Sequence, residues 1–231
     1  GYVGSYITDE LIAQGHTPRL MVRVESKRKV QQPEKCEIIS GQINEEETIR
    51  SVISGTDAVI YLIAVIREFP KKGITWEDLH FKGVKACIDI TKELGGKRFI
   101  LMSANGVKPD GTGYQSTKFL ADEYLKASGL DYTIFRPTSL FGDPRGQSRP
   151  EFCTQILNDM LRLPMPAPLF HRGLIPKNAG AFEYNPIHVS DVAHIFVQAI
   201  EKAEMVGQIY ELGGLDNISW KSMIKIVAQA A

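Results

Sequence analysis

From Glu37 to Arg136, short apolar segments alternate with amphipathic ones, and few folds can accommodate that alternation. Glu37 to Ser40, Ala58 to Val65, Arg98 to Ser103 and Tyr132 to Arg136 read as strands. Between them, Glu45 to Ser54, Trp76 to Leu94 and Tyr114 to Ala127 repeat their apolar residues at helical spacing, with Gly95-Gly96 and Gly129 as natural stops. Strands apolar on both faces need cover on both faces, and parallel neighbours need long crossovers; helices supply both. The expected class is therefore α/β, a Rossmann-like doubly wound parallel sheet. The longest apolar run, Ala58 to Ile66, has nine residues, about half of what a bilayer-spanning helix needs, and suits a buried strand.

The chain opens on Gly1-Tyr2-Val3-Gly4, followed by a helix over Ser5 to Gln14, a stop at Gly15 and a strand over Arg19 to Arg23. This is the second half of a dinucleotide-binding fingerprint: glycines let the backbone approach a pyrophosphate, and the helix N-terminus offers amide donors to the anion. A bare G-x-x-G also occurs in ordinary turns. A whole unit places its first strand and first glycine upstream, so the sheet is expected with that first strand missing and a gap beside Arg19 to Arg23. Because the start can be missing, the sequence says nothing about a signal peptide. Units that bind NAD usually end their second strand on an acid, whereas an arginine there accommodates a 2′-phosphate. Here Arg23 stands at that point, with Lys27 and Arg28 after it, so NADP is expected in preference to NAD; Glu25 is the competing feature.

After Pro137 the alternation breaks. Phe141 to Pro150 is rich in Gly, Pro and charge, and after a helix over Glu151 to Arg162 the stretch Leu163 to Pro186 holds five prolines. Regular structure resumes with a strand over Ile187 to Val189, a helix over Asp191 to Ala203, a strand over Ile209 to Leu212 and a final helix from Trp220. Residues 1–137 are expected to form a dinucleotide-binding domain, and 138–231 a small irregular lobe, for substrate or partner, interleaved with the last sheet elements. The 27 basic and 27 acidic residues cancel, which argues against a general attraction to nucleic acid or anionic membrane. The three cysteines, Cys36, Cys87 and Cys153, are far apart and form no C-x-x-C, so no metal site and a reducing, cytoplasmic setting are expected.

The chemistry is expected at Ser103, Tyr114 and Lys118. Tyr114-Gln115-Ser116-Thr117-Lys118 sets a phenol and an ammonium one helical turn apart, and Ser103 ends the preceding buried strand, where sites of parallel sheets are built. Beside a lysine and a cationic nicotinamide, the phenol's pKa of about 10 should fall, making it a general acid or base, with Ser103 holding the substrate oxygen. Other residues have plainer readings: Ser190 or Asp191 as a helix cap, His188 as a packed histidine, Arg136 as a structural cation.

Taken together, Gly1-Tyr2-Val3-Gly4, Arg19 to Arg23, Asp57 to Leu62, Met102-Ser103-Ala104, Tyr114 with Lys118, Phe135-Arg136-Pro137 with Phe141-Gly142, and His188 to Ala193 resemble the short-chain dehydrogenase/reductase superfamily. The likeness is to its extended or atypical branch, close to proteins related to the NAD(P)-binding accessory subunit of respiratory complex I. The resemblance implies Tyr114 as acid/base, Lys118 on the nicotinamide ribose and Ser103 orienting substrate. It also implies Ala64 against the adenosine half of the cofactor and Pro137 beside the nicotinamide. The sequence departs from the family at Gln42, where an aspartate is usual, and in its short Ser103 to Tyr114 spacing. Two functions follow. One is an NADP-dependent oxidoreductase, or an epimerase or dehydratase that borrows the hydride, on a small carbonyl or hydroxyl substrate. The other is a noncatalytic NADP-binding accessory or sensor protein that docks a partner through 163–174.

Overall fold

The computed structural model of the chain describes residues 1–146, 151–171 and 177–230. Helix α1 (Tyr2–Ala13) leads to the strands β1 (Arg19–Val22) and β2 (Glu37–Ser40). Then come α2 (Glu46–Ile53), β3 (Ala58–Tyr61), a π-helical turn over Glu77–Lys82 running on into α3 (Gly83–Glu93), β4 (Arg98–Met102), α4 (Gly113–Lys126) and β5 (Asp131–Pro137). The remainder holds β6 (Leu140–Phe141), α5 (Phe152–Ile156), β7 (Glu183–Tyr184), β8 (Ile187–His188), α6 (Val189–Glu201), β9 (Gln208–Leu212), β10 (Ile218–Ser219) and α7 (Trp220–Ala230).

The parallel strands fall into two groups. β3, β4, β5 and β9 form a four-stranded sheet in that order, and β1 pairs only with β2, in register from Arg19 opposite Glu37 to Val22 opposite Ser40. The β1–β2 pair and the four-stranded sheet are not hydrogen-bonded to each other, and residues of both β1 and β3 line one cleft. That is the gap expected beside the Arg19 to Arg23 strand. The class is the α/β, parallel, helix-covered sheet that the alternation predicts.

Side-chain alternation along the sheet separates two cores. On β4, Phe99 and Leu101 enter one core with Ile49, Val84, Ile88 and Leu125, from the helices α2, α3 and α4. Ile100 between them points the other way, to Ile7 of α1 and to Val192, Phe196 and Val197 of α6. On β5, Ile134 joins the first group and Phe135 the second, its ring 4.5 Å from that of Phe196. A third cluster, around Ile156, Trp220, Met223 and Val227, belongs to the C-terminal elements. Arg98, although it starts a buried strand, is satisfied: it donates to the Asp131 carbonyl, the Thr133 hydroxyl and, at the last turn of α6, the Ala199 carbonyl.

Several boundaries differ from the sequence reading. Gly1 is the N-cap of α1, so Gly4 lies within the first helical turn and not in the loop before it. The strand expected over Ala58 to Val65 ends at Tyr61, because the Val65 backbone is held by side chains instead of by the neighbouring strand. At α6 the N-cap is His188, whose imidazole accepts from the Ser190 amide, so neither Ser190 nor Asp191 fills that role. Arg136 is structural, as read, and is paired with Asp122 and Glu211.

Candidate functional site

Every residue that the sequence assigned to cofactor or catalysis lines one cleft of about 2810 Å³: Gly1, Tyr2, Val3, Gly4, Arg23, Ala64, Ser103, Tyr114, Lys118 and Pro137. It runs the length of β1 and β3, from Arg19 and Ala58 onward, and takes in the C-terminal ends of the parallel strands, where open α/β sheets place ligands. At one end lies the N-terminus of α1, with Gly1 as its N-cap. A helix N-terminus favours an anion, and a glycine there adds no side chain of its own. Gly4, one turn in, faces Leu62, whose side chain would lie 3.7 Å from a built Cβ, an ordinary contact distance. Arg23 stands at the end of β1, exposed, its guanidinium 3.3 Å from the Glu25 carboxylate. The two residues that argued for and against a 2′-phosphate are thus partners on the surface.

The catalytic candidates meet at the other end. Helix α4 begins with a reciprocal cap: Gln115 Oε1 accepts from the Thr112 amide at 2.9 Å, and Thr112 Oγ1 accepts from the Gln115 amide. That cap fixes the first turn and, with it, the direction of Tyr114. Lys118, one turn on, is buried and donates from Nζ to the Met102 carbonyl at 3.1 Å, just before Ser103. Burial brings its pKa down to about 8, with Asp122, one further turn along, pulling the other way. Ser103 is buried at the end of β4; its hydroxyl lies beside the Asp122 carboxylate, and hydrogen bonding from it pulls the Asp122 pKa down. A hydroxyl both donates and accepts, so it can meet a ligand oxygen as well.

Tyr114 departs from expectation in one respect. Burial raises its pKa, opposite to the lowering expected from Lys118, whose Nζ lies 5.7 Å from the centre of the phenol ring. The resting phenol is therefore protonated at neutral pH, the form that donates to a carbonyl oxygen.

Two residues that the sequence reading left unassigned hold this tyrosine. The rings of His80 and Trp76 meet the Tyr114 ring edge to face, at 5.1 and 6.3 Å between centroids. The same two side chains grip the segment after β3: His80 Nε2 accepts from the Val65 amide at 3.1 Å, and Trp76 Nε1 donates to the Val65 carbonyl at 3.2 Å. With Nε2 accepting, the imidazole proton sits on Nδ1, facing Thr117 Oγ1 at 3.3 Å. Burial, and then the Lys118 charge, hold His80 neutral, with its pKa down at about 3. His80 and Trp76 therefore couple the Ala64–Val65 edge of the cleft to the Tyr114 wall. The only sequence signal was their place on an amphipathic helix, which does not say what the polar edge of a buried histidine meets.

His80→Leu should leave the Val65 amide without its acceptor and cost about 1–3 kcal/mol of stability. Dinucleotide affinity should fall with it, and His80→Gln, which restores an acceptor, should recover part of both. Denaturant melts and cofactor titrations on the two variants check this; equal behaviour of Leu and Gln would refute the hydrogen-bond account.

Among the described residues no cluster of His, Cys, Asp or Glu could hold a metal ion, and no helix is long and apolar enough to cross a membrane. A family model described as NAD(P)H-binding matches residues 1–154. The chain is 24% identical over 219 residues to the NADH-ubiquinone oxidoreductase 40 kDa subunit, mitochondrial, of Neurospora crassa, covering 93% of this chain and 53% of that protein. It thus spans about half the length of that curated relative. Among solved structures it is similar to a putative NAD-dependent epimerase/dehydratase from Bacillus halodurans, at 24% identity and a TM-score of 0.65, covering 99% of this chain and 95% of that one. It is also similar to MoeE5 in complex with UDP-glucose and NAD, at 17% identity and a TM-score of 0.78, covering 100% of this chain and 79% of that one. At these identities the structural likenesses speak for the fold alone.

Proposed function

The chain belongs to the NAD(P)H-binding family, among the extended short-chain dehydrogenase/reductase-like proteins, and from that premise we propose an NADP-dependent oxidoreductase acting on a small carbonyl or hydroxyl compound. The observation that carries this reading is the convergence of Tyr114, the buried Lys118 and Ser103 on the wall of the cleft that also receives the α1 N-terminus. The residues present fit a dinucleotide: a helix N-terminus that begins on glycine for the pyrophosphate, and a buried ammonium for the nicotinamide ribose. A bound nicotinamide supplies or accepts the hydride. The chain's own part is to hold the substrate oxygen at Ser103, to give or take a proton at the Tyr114 hydroxyl, and to keep positive charge beside that oxygen through Lys118.

An epimerase or dehydratase that returns the hydride would use the same three residues. A noncatalytic accessory protein is favoured by the respiratory subunit among its relatives, with the dinucleotide stabilising the fold.

The cofactor choice is tested by titrating the protein with NADPH and NADH at equal ionic strength. NADPH is expected to bind more tightly, and Arg23→Ala to weaken NADPH about tenfold, the effect of losing one charge-assisted contact at an exposed position. Equal or tighter NADH binding, or an Arg23→Ala protein with unchanged NADPH affinity, would assign the site to NAD and leave Glu25 on the ribose.

A further inference from the structure

We propose that the segment from Leu163 to His171 docks the protein onto an anionic lipid surface. Met165 and Phe170 are 63% and 54% exposed, and Leu163 and Leu169 are exposed beside them in the sequence; Phe182, exposed as well, also lines the cleft. Large apolar side chains scattered singly need no explanation, but a group of them on one irregular segment does. The segment is held. Trp220 donates from its indole to the Pro168 carbonyl at 2.9 Å, the Gly180 amide donates to the Phe170 carbonyl at 2.8 Å, and the Phe182 ring stacks on Trp220 at 5.8 Å. Pro164, Pro166 and Pro168 restrict the backbone further, so the apolar tips are presented with little ordering left to lose on binding.

Charge selects the occupant. From Met160 to Phe182 the sequence contains Arg162, His171, Arg172 and Lys177 and no Asp or Glu, whereas the whole chain is balanced at 27 against 27. Lys221 adds a cation beside Gly180, and no carboxylate among the described residues pairs with Arg162, Lys177 or Lys221. Glu183, next in sequence to Phe182, lies on β7, where alternation turns it away from Phe182 and Tyr184. Exposed apolar side chains on a segment whose sequence carries cations and no carboxylate match a bilayer with acidic headgroups, which offers an apolar interior beneath a negative surface. The partner surface expected from the sequence, 163–174, extends to Gly173 and Leu174, which lie outside the described residues.

The test is co-sedimentation of the purified chain with vesicles of phosphatidylcholine alone and of phosphatidylcholine with a quarter phosphatidylglycerol. Binding is expected to the anionic vesicles only, and to weaken as salt rises. The double variant Met165→Asp, Phe170→Asp should lose it by about tenfold or more. Neither residue lines the nucleotide cleft, so the variant should bind NADPH as the parent does, and a failure of the cofactor reading would register separately. No partition of the parent into anionic vesicles, or equal partition of the double variant, would overturn the assignment. So would finding that Met165 and Phe170 are instead needed to hold a protein partner.

Discussion

Tyr114→Phe should lower turnover by about 10²–10⁴-fold while leaving dinucleotide affinity nearly intact. The substitution removes one oxygen and keeps the ring, so the edge-to-face contacts with His80 and Trp76 survive and the cleft wall keeps its shape. What is lost is the only proton that the tyrosine can move. Burial keeps that proton on the phenol at neutral pH, ready for delivery to a carbonyl oxygen; as it leaves, the negative charge on Tyr114 is offset by the Lys118 ammonium. The lysine's pKa, held at about 8, sets the pH window. Below it the ammonium is present; as pH rises through about 8 it is lost, and activity and ribose binding should fall together. Lys118→Ala should therefore weaken both turnover and affinity and abolish that alkaline limb. Steady-state kinetics with NADPH across pH 6 to 10, alongside fluorescence titration of the cofactor, separate the two residues. If a substrate is found and the Tyr114→Phe protein turns it over at the parent rate, the acid/base assignment is wrong and the accessory reading gains.

The sheet was legible because burial on both faces leaves a signature within each segment: Arg98 to Met102 and Asp131 to Pro137 are apolar whichever way each side chain points. That Ser103, Tyr114 and Lys118 lie along one wall could be read because a strand end and a single helical turn are local geometry. What escaped was contact between elements. Val65 and His80 are fifteen residues apart, and the bond between them replaces the strand pairing that the apolar run Ala58 to Ile66 suggested. The π-helical turn over Glu77–Lys82, which carries His80, has no spacing signature distinct from an α-helix. His188 displaced the more usual Ser190 and Asp191 as a cap because its imidazole nitrogen accepts where an oxygen was expected. The separation of β1 from β3 was expected from the glycine pattern, whereas which of Arg23 and Glu25 would meet a ribose was not: their pairing is settled on the surface, by side-chain rotamers.

Asp122→Ala should destabilise the fold by about 3 kcal/mol, near the lower end for breaking a buried ion pair. Asp122 is fully buried in α4, and its Oδ2 accepts from Arg136 Nε and Nη2 at 3.0 and 2.9 Å. Burial lifts its pKa, against the pull of Ser103, Arg136 and Lys118, so the carboxylate is maintained by its partners. Removing it strands two cations at once. Arg136, on β5, keeps only Glu211 at 3.3 Å on the exposed side, which moderates the loss. Lys118 loses the one neighbour that raises its pKa, so its value should drop below about 8 and its charge fade at neutral pH. For a chain of this length the stability loss corresponds to a fall in Tm of about 6–12 °C. Replacing both partners, Asp122→Leu with Arg136→Met, should recover much of the stability, since matched apolar groups avoid the desolvation cost, yet should not restore cofactor affinity at neutral pH. Differential scanning calorimetry of the single and double variants, with NADPH titrations at pH 6 and 8, reads both effects. A Tm within about 2 °C of the parent for Asp122→Ala would show that the pair contributes nothing to the fold, and unchanged pH dependence of NADPH binding would show that Asp122 does not govern the charge on Lys118.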